Sequence, residues 1–270
     1  MPATPIAYHR PHSITEALKL LQRPEARPLA GGTWLLATEF AGEAVDLQEL
    51  GLNQINWDDS DQLSVGAMTR LADIDAFLAA SQPAQGPQAL LRQAIRYAGP
   101  NTRRHAATIG GTIAARLPDS ELLAALLVLE AQVTVQQPEA AVTLSLADYL
   151  AAPEQSPGLI AVVTIPSTPG YGDLARVART PAGDPIVTVL LWRPESGALR
   201  LAATGVATWP GRLPEAEQAV RANLSPASIE QAAAAARAAV SHPGDFRGDA
   251  AYRAEMAAVL TRRLLNNCSA

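Results

Sequence analysis

Apolar residues along this chain alternate between helical and strand spacing, and the alternation divides it into two halves. Ile14, Leu18 and Leu21 form one helical stripe. It lies behind Ser13 and Glu16, which have the spacing of a capping box, and Pro24 ends it. Residues 28–30 and 45–47 predict short strands, and the first runs straight into Gly31, Gly32 and Thr33. Residues 63–65 alternate like a strand and enter Gly66 and Ala67. Leu71, Ile74 and Leu78 then predict a helix with Thr69 near its start. A loop marked by Pro83, Gly86 and Pro87 precedes a further helix over roughly residues 88–97. Residues 101–116 are short of helix signals and read as a loop. Asp119 and Ser120 open an apolar helix that runs to about Glu130, and residues 133–135 and 142–146 predict a strand pair.

Residues 151–158 have linker composition. Beyond them, residues 159–165, 174–178, 186–192 and 199–204 are four strand-like runs with no helix between them. The last two are joined by a Pro-Glu-Ser-Gly turn ending at Gly197, which suits a hairpin. From Pro214 onward the pattern is helical, over about residues 215–222, 227–240 and 249–265. Ile229 and Val240 frame the alanine run 232–236, which reads as a helix surface and not as a linker. An α/β half therefore precedes a half of antiparallel strands followed by helices. No internal repeat of solenoid length appears.

Composition narrows what such a chain can do. Its 270 residues are 48% hydrophobic and 17% charged, enough apolar material for a large core. The net charge of −5, with no basic block, and an aromatic content of 4% argue against a nucleic-acid partner. The one cysteine, Cys268, excludes disulfide frameworks, iron–sulfur ligation and thiolate zinc sites within the chain. Residues 122–129 form the longest dense apolar stretch, far too short to span a bilayer. The N-terminal residues lack a signal pattern, so the expectation is a soluble, cytoplasmic protein.

Chemistry concentrates at two glycine pairs: Ala30, Gly31, Gly32 and Thr33 after a strand, and Thr108, Ile109, Gly110, Gly111 and Thr112 in the expected loop. Glycine lets backbone N–H groups approach a ligand closely, and clustered N–H groups beside threonine hydroxyls suit a phosphate without any cationic side chain. Two such loops together would cradle a diphosphate from both sides. A tight turn between packed elements explains either pair taken alone. Neither pair fits GxGxxG or the Walker pattern. His9, His12, His105 and His242 are scattered, so no metal site is expected. No nucleophile is paired with a base, so no catalytic residue is assigned. Asp119 and Glu121 suit a helix start, or acceptance of hydrogen bonds from ligand hydroxyls. Arg103 and Arg104 would steady the loop, reach a phosphate or stand in solvent.

Six motifs in order carry a resemblance: LAGGTWLL (29–36), VGAMTR (65–70), TIGGTIAARLPDSELL (108–123), IP (165–166), ARTPAGD (178–184) and DFRGDAAYR (245–253). Over nearly its whole length the chain resembles the FAD-binding medium subunit of the molybdenum hydroxylases, the family of carbon monoxide dehydrogenase and xanthine dehydrogenase flavoproteins. The resemblance implies an α+β fold. Residues 1–168 would form a vanillyl-alcohol-oxidase-like FAD domain of two α/β subdomains (about 1–60 and 61–168). Residues 169–270 would form a small domain with an antiparallel sheet and a helical bundle. It further implies that Ala30, Gly31, Gly32, Thr33, Trp34 and Leu35, together with Thr108, Ile109, Gly110, Gly111 and Thr112, hold the FAD diphosphate. Glu121 stands where the family has an Asp that binds the polyol region. Arg176 stands near a basic position on the flavin side, and Tyr97 near an aromatic position beside the cofactor.

The implied function is electron transfer. A partner small subunit with [2Fe-2S] clusters would supply electrons released at a molybdopterin-containing large subunit. FAD, held noncovalently because neither loop carries a His or Cys, would pass them to an acceptor such as NAD or quinone. The chain departs from the family at Trp34 (usually Asp), Thr112 (usually Asn), His105 (usually Asn) and Thr180-Pro181 (usually a basic pair). Those departures motivate an alternative: a flavin-less structural or assembly subunit of the same kind of complex.

Overall fold

The computed structural model describes residues 5–80, 86–151, 158–181 and 183–269. Its contacts divide the chain into two compact units. The first comprises Met1–Ala80, Asn101–Ala115 and Glu130–Pro166. The second comprises Ser81–Pro100, Arg116–Leu129 and Ser167–Ala270. The expected linker 151–158 lies mostly outside the described residues.

The first unit contains two sheets. Ala7–His9, Glu43–Asp46 and Ala26–Leu29 form a parallel three-stranded sheet with Glu43–Asp46 in the middle. Helix Ile14–Leu21 covers it, started by Ser13, whose Oγ accepts the Glu16 N–H at 3.2 Å. The Glu16 carboxylate in turn accepts the His12 N–H at 3.0 Å, so the capping-box pair works one residue further out than the standard motif. Ala17, Leu18, Ala26, Val45, Leu47 and Leu159 fill the core of this layer. The second sheet is antiparallel and five-stranded, in the order Ile55–Trp57, Leu63–Gly66, Leu159–Ile165, Gln132–Gln136 and Ala141–Ser145.

Two stretches differ from the sequence reading. Residues 101–116 are mostly helical, with short helices Asn101–Arg104 and Ile109–Ala115. Thr108 starts the second: its Oγ1 accepts the Gly111 N–H at 3.1 Å, and its carbonyl accepts the Thr112 N–H at 2.9 Å. The low helix propensity of two glycines is overridden because Gly110 is wedged against Ala67, where a Cβ would stand 2.6 Å from the Ala67 Cβ. Leu146, expected to end a strand, instead begins helix Leu146–Ala151.

In the second unit, Gly211–Arg212, Arg200–Thr204, Pro185–Pro194 and Gly170–Ala178 form an antiparallel four-stranded sheet. Strand Pro185–Pro194 is buried at almost every position, because helices cover both faces. Val187, Val189 and Leu191 join the core made with helices Pro214–Ala219, Pro226–Ala238 and Ala250–Ser269. The alternate residue Thr188 faces helix Glu121–Val128 through Glu121. The alanine run packs inward, with Ala232, Ala233 and Ala236 all buried.

Hairpin Gly244–Asp245/Gly248–Asp249 leads into the last helix and is held by Arg253, which is 1% exposed. Arg253 donates to the Gly205 carbonyl at 2.9 Å, the Gly248 carbonyl at 3.1 Å and Asp245 at 2.7 Å. Burial alone would raise the Asp245 pKa. Donation from Arg253 and Arg247 outweighs it and holds the carboxyl well below the usual range. Replacing Arg253 by Met keeps the volume but leaves these acceptors bare. The expected loss is about 3–5 kcal/mol, or roughly 10 °C in a thermal melt followed by circular dichroism. A shift within about 2 °C of the parent would contradict this role.

Candidate functional site

The two glycine pairs meet within the first unit, and they do so backbone to backbone. A Cβ on Gly31 would stand 1.8 Å from the Ala106 carbonyl oxygen, so no other residue fits there without moving the chain. Gly32 has φ +68°, the left-handed conformation that glycine adopts without strain. The turn then closes through the Leu36 N–H to the Gly32 carbonyl at 3.1 Å and the Ala37 N–H to the Trp34 carbonyl at 3.0 Å. Leu35 begins this 3₁₀ turn, Leu35–Ala37. Among the described residues, the N–H groups of Gly31, Gly32, Thr33, Trp34 and Leu35 have no hydrogen-bond partner. Trp34 is 48% exposed beside them.

The second pair behaves differently. The Ile109 N–H donates to the Thr69 carbonyl at 3.1 Å and the Gly110 N–H to the Ala67 carbonyl at 2.9 Å. The Gly111 and Thr112 N–H groups go to Thr108, and the Thr112 hydroxyl donates to the Thr108 carbonyl at 2.9 Å. The Ile109 side chain is fully buried. This segment therefore offers a rigid wall with its donors occupied, while the first offers free donors.

Two cavities flank the pair. One of about 470 Å³ is polar and is lined by Gly31, Thr108, Arg70, His105, Gln48 and Asn53, among others. The other, about 80 Å³, is mostly apolar and is lined by Ala30, Leu47, Met68, Gly111 and Ile160, among others. Arg70, Gln48 and Asn53 were not singled out from the sequence. Arg70 closes the VGAMTR motif, and that position was the available signal.

Tyr97, Glu121 and Arg176 gather in the second unit. The Arg176 Nε donates to Glu121 Oε1 at 3.0 Å, and its other nitrogens donate to the Pro181 carbonyl at 2.9 Å and the Gly183 carbonyl at 2.6 Å. Its guanidinium lies 4.5 Å from the Tyr97 ring centroid, a cation–π stack. Glu121 is 2% exposed and also accepts from the Thr188 hydroxyl at 3.3 Å. Burial raises its pKa to about 7 against the opposing attraction of Arg176. The Glu121 carboxylate is thus committed to holding Arg176. Asp119, the neighbouring helix-start candidate, pairs with Arg247 at 2.8 Å.

Unbonded donors, a glycine that no larger residue can replace and an adjoining polar cavity fit the diphosphate of a dinucleotide. Among the described residues no group of three or more His, Cys, Asp or Glu residues could hold a metal ion, and no helix is long and apolar enough to cross a membrane.

The comparisons with known proteins agree with this architecture. Residues 4–168 match the FAD binding domain in molybdopterin dehydrogenase, and residues 195–268 match the CO dehydrogenase flavoprotein C-terminal domain. The chain belongs to this molybdopterin-dehydrogenase flavoprotein family. It is 32% identical to the carbon monoxide dehydrogenase medium chain of Afipia carboxidovorans, covering 97% of this chain and 96% of that one. It is also 34% identical to the Escherichia coli protein YgfM, covering 97% and 95%. The carbon monoxide dehydrogenase structure from Oligotropha carboxidovorans superimposes with a TM-score of 0.87 at 27% identity, covering 100% of this chain and 99% of that one. The protein is a FAD-binding medium subunit of the molybdenum hydroxylase type, an oxidoreductase component.

Glu121 yields a pH prediction. The folded chain holds a proton there that the unfolded chain releases between about pH 4.5 and 7. The resulting contribution is complete below pH 4.5 and is lost as pH rises through about 7. In urea unfolding, the stability of the parent relative to Glu121→Gln should fall over that window by on the order of 3 kcal/mol. A difference that stays flat with pH contradicts the assignment.

Proposed function

We propose that this chain is the electron-transferring flavoprotein subunit of a molybdenum hydroxylase assembly. It stands between the [2Fe-2S] clusters of a small partner subunit and an external acceptor such as NAD or quinone, with a molybdenum-binding large subunit as the second partner. When bound, FAD supplies the exchange between one-electron donors and a two-electron acceptor. The observation that carries this reading is the run of unbonded N–H groups from Gly31 to Leu35 against the wall made by Ala106 and Thr108.

On this reading Ala30 to Leu35 donate to the diphosphate and Thr108 to Thr112 shape the opposite wall. Tyr97, Glu121 and Arg176 attend the remainder of the cofactor, with Glu121 acting through Arg176. The division at residue 168 and a cytoplasmic location belong to the same proposal. The absence of a paired nucleophile and base in the sequence suits a component that leaves substrate chemistry to another subunit.

The test is the visible spectrum of the full chain purified with its native partners. The parent is expected to show oxidised-flavin bands, released into the supernatant on acid precipitation because the cofactor is noncovalent. Gly32→Val should lose the bands, because a β-branched residue resists φ +68° and crowds the donor loop. It should still melt cooperatively. A parent that stays colourless after FAD is added, or that purifies alone and oxidises a substrate unaided, contradicts the proposal. The colourless result would favour the flavin-less structural subunit instead.

A further inference from the structure

The polar cavity beside Gly31 contains charge that the glycine loops do not explain. Arg70, Asp73 and His105 all line it, together with Gly31 and Thr108. The backbone around Arg70 is tied to the second glycine segment on both sides. Arg70 pairs with Thr108 in an isolated antiparallel bridge, the Leu71 N–H donates to the Ala107 carbonyl at 2.9 Å, and the Ile109 N–H donates to the Thr69 carbonyl at 3.1 Å. The Arg70 side chain therefore starts beside Thr108, at the cavity's edge. Both Arg70 and His105 are exposed, and among the described residues neither side chain makes a hydrogen bond or ion pair.

A diphosphate carries about two negative charges, and the N–H groups of residues 109–112 are all occupied. The free donors of the first loop face that charge without a cation from either loop. We propose that Arg70 and His105 form the cationic wall of the diphosphate subsite, so that this cavity receives the diphosphate of the dinucleotide. The inference rests on the FAD reading above. Asp73 opposes the anion, which makes Arg70 the deciding charge and leaves the cavity with no surplus for a ligand lacking phosphate.

The experiment titrates FAD into the full chain after its flavin has been removed, at two salt concentrations, with inorganic pyrophosphate as competitor. Arg70→Gln is expected to weaken FAD binding about ten-fold or more, with a shallower salt dependence. Arg70→Lys should retain most of the affinity, and His105→Asn should show a smaller loss than Arg70→Gln. Pyrophosphate should displace FAD from the parent and do so less well from Arg70→Gln. Circular dichroism of each variant should match the parent, since Arg70 is exposed. If Arg70→Gln binds FAD as tightly as the parent with unchanged salt dependence, or pyrophosphate fails to compete on the parent, this inference falls while the FAD reading stands. A parent that binds no FAD overturns both.

Discussion

The close approach of Gly31 to the Ala106 carbonyl is the constraint on which the candidate site depends. Backbone meets backbone there, so the strand that ends at Leu29 turns away across Gly32 before a side chain can intervene. That turn releases a run of N–H groups which neither strand nor helix can satisfy. Buried or half-buried donors of this kind are costly when they stay unpaired. An anionic ligand therefore gains both their hydrogen bonds and the relief of that penalty. The helix starting after Thr108 is the complementary part. Its donors are satisfied within the protein, which makes it a stiff surface against which the first loop is set.

In the second unit the same logic appears with side chains. Arg176 is held by a buried carboxylate and two carbonyls, and its flat face rests on Tyr97. Fixing a guanidinium this way removes much of the rotamer freedom that would otherwise oppose binding. The sheet can carry the arrangement because strand Pro185–Pro194 is covered on both faces. Odd positions such as Val187 and Val189 support the helical side, and Thr188 reaches Glu121 on the other.

Much of this was legible in the sequence, and the misses have physical causes. The continuous apolar run at residues 186–192 announced a strand buried on both sides, and the glycine pairs announced close backbone approach. Strand Ala7–His9 was invisible because it has no apolar alternation. It is joined to its neighbour partly by polar contacts, Tyr8 with Asp46 and His9 with Glu43 at 2.8 Å. Helix Ile109–Ala115 was hidden by the low propensity of its glycines, although Thr108 ahead of Ile109 and Ile113 was a usable start signal. The commitment of Glu121 to Arg176 joins residues 55 apart in sequence, beyond the reach of local pattern. The split of duties between the two glycine pairs was illegible for the same reason, because the partners of residues 109 and 110 are the carbonyls of Thr69 and Ala67.

The claim at the centre of this account is that the first glycine loop donates to the cofactor while the second serves as a preformed wall. Hydrogen exchange of backbone amides, measured with and without FAD on the full chain, tests it most directly. The account predicts new protection at Gly31 to Leu35, with little change at Ile109 to Thr112, whose amides are already bonded. Protection gained at Ile109 to Thr112 with none at Gly31 to Leu35 would contradict it.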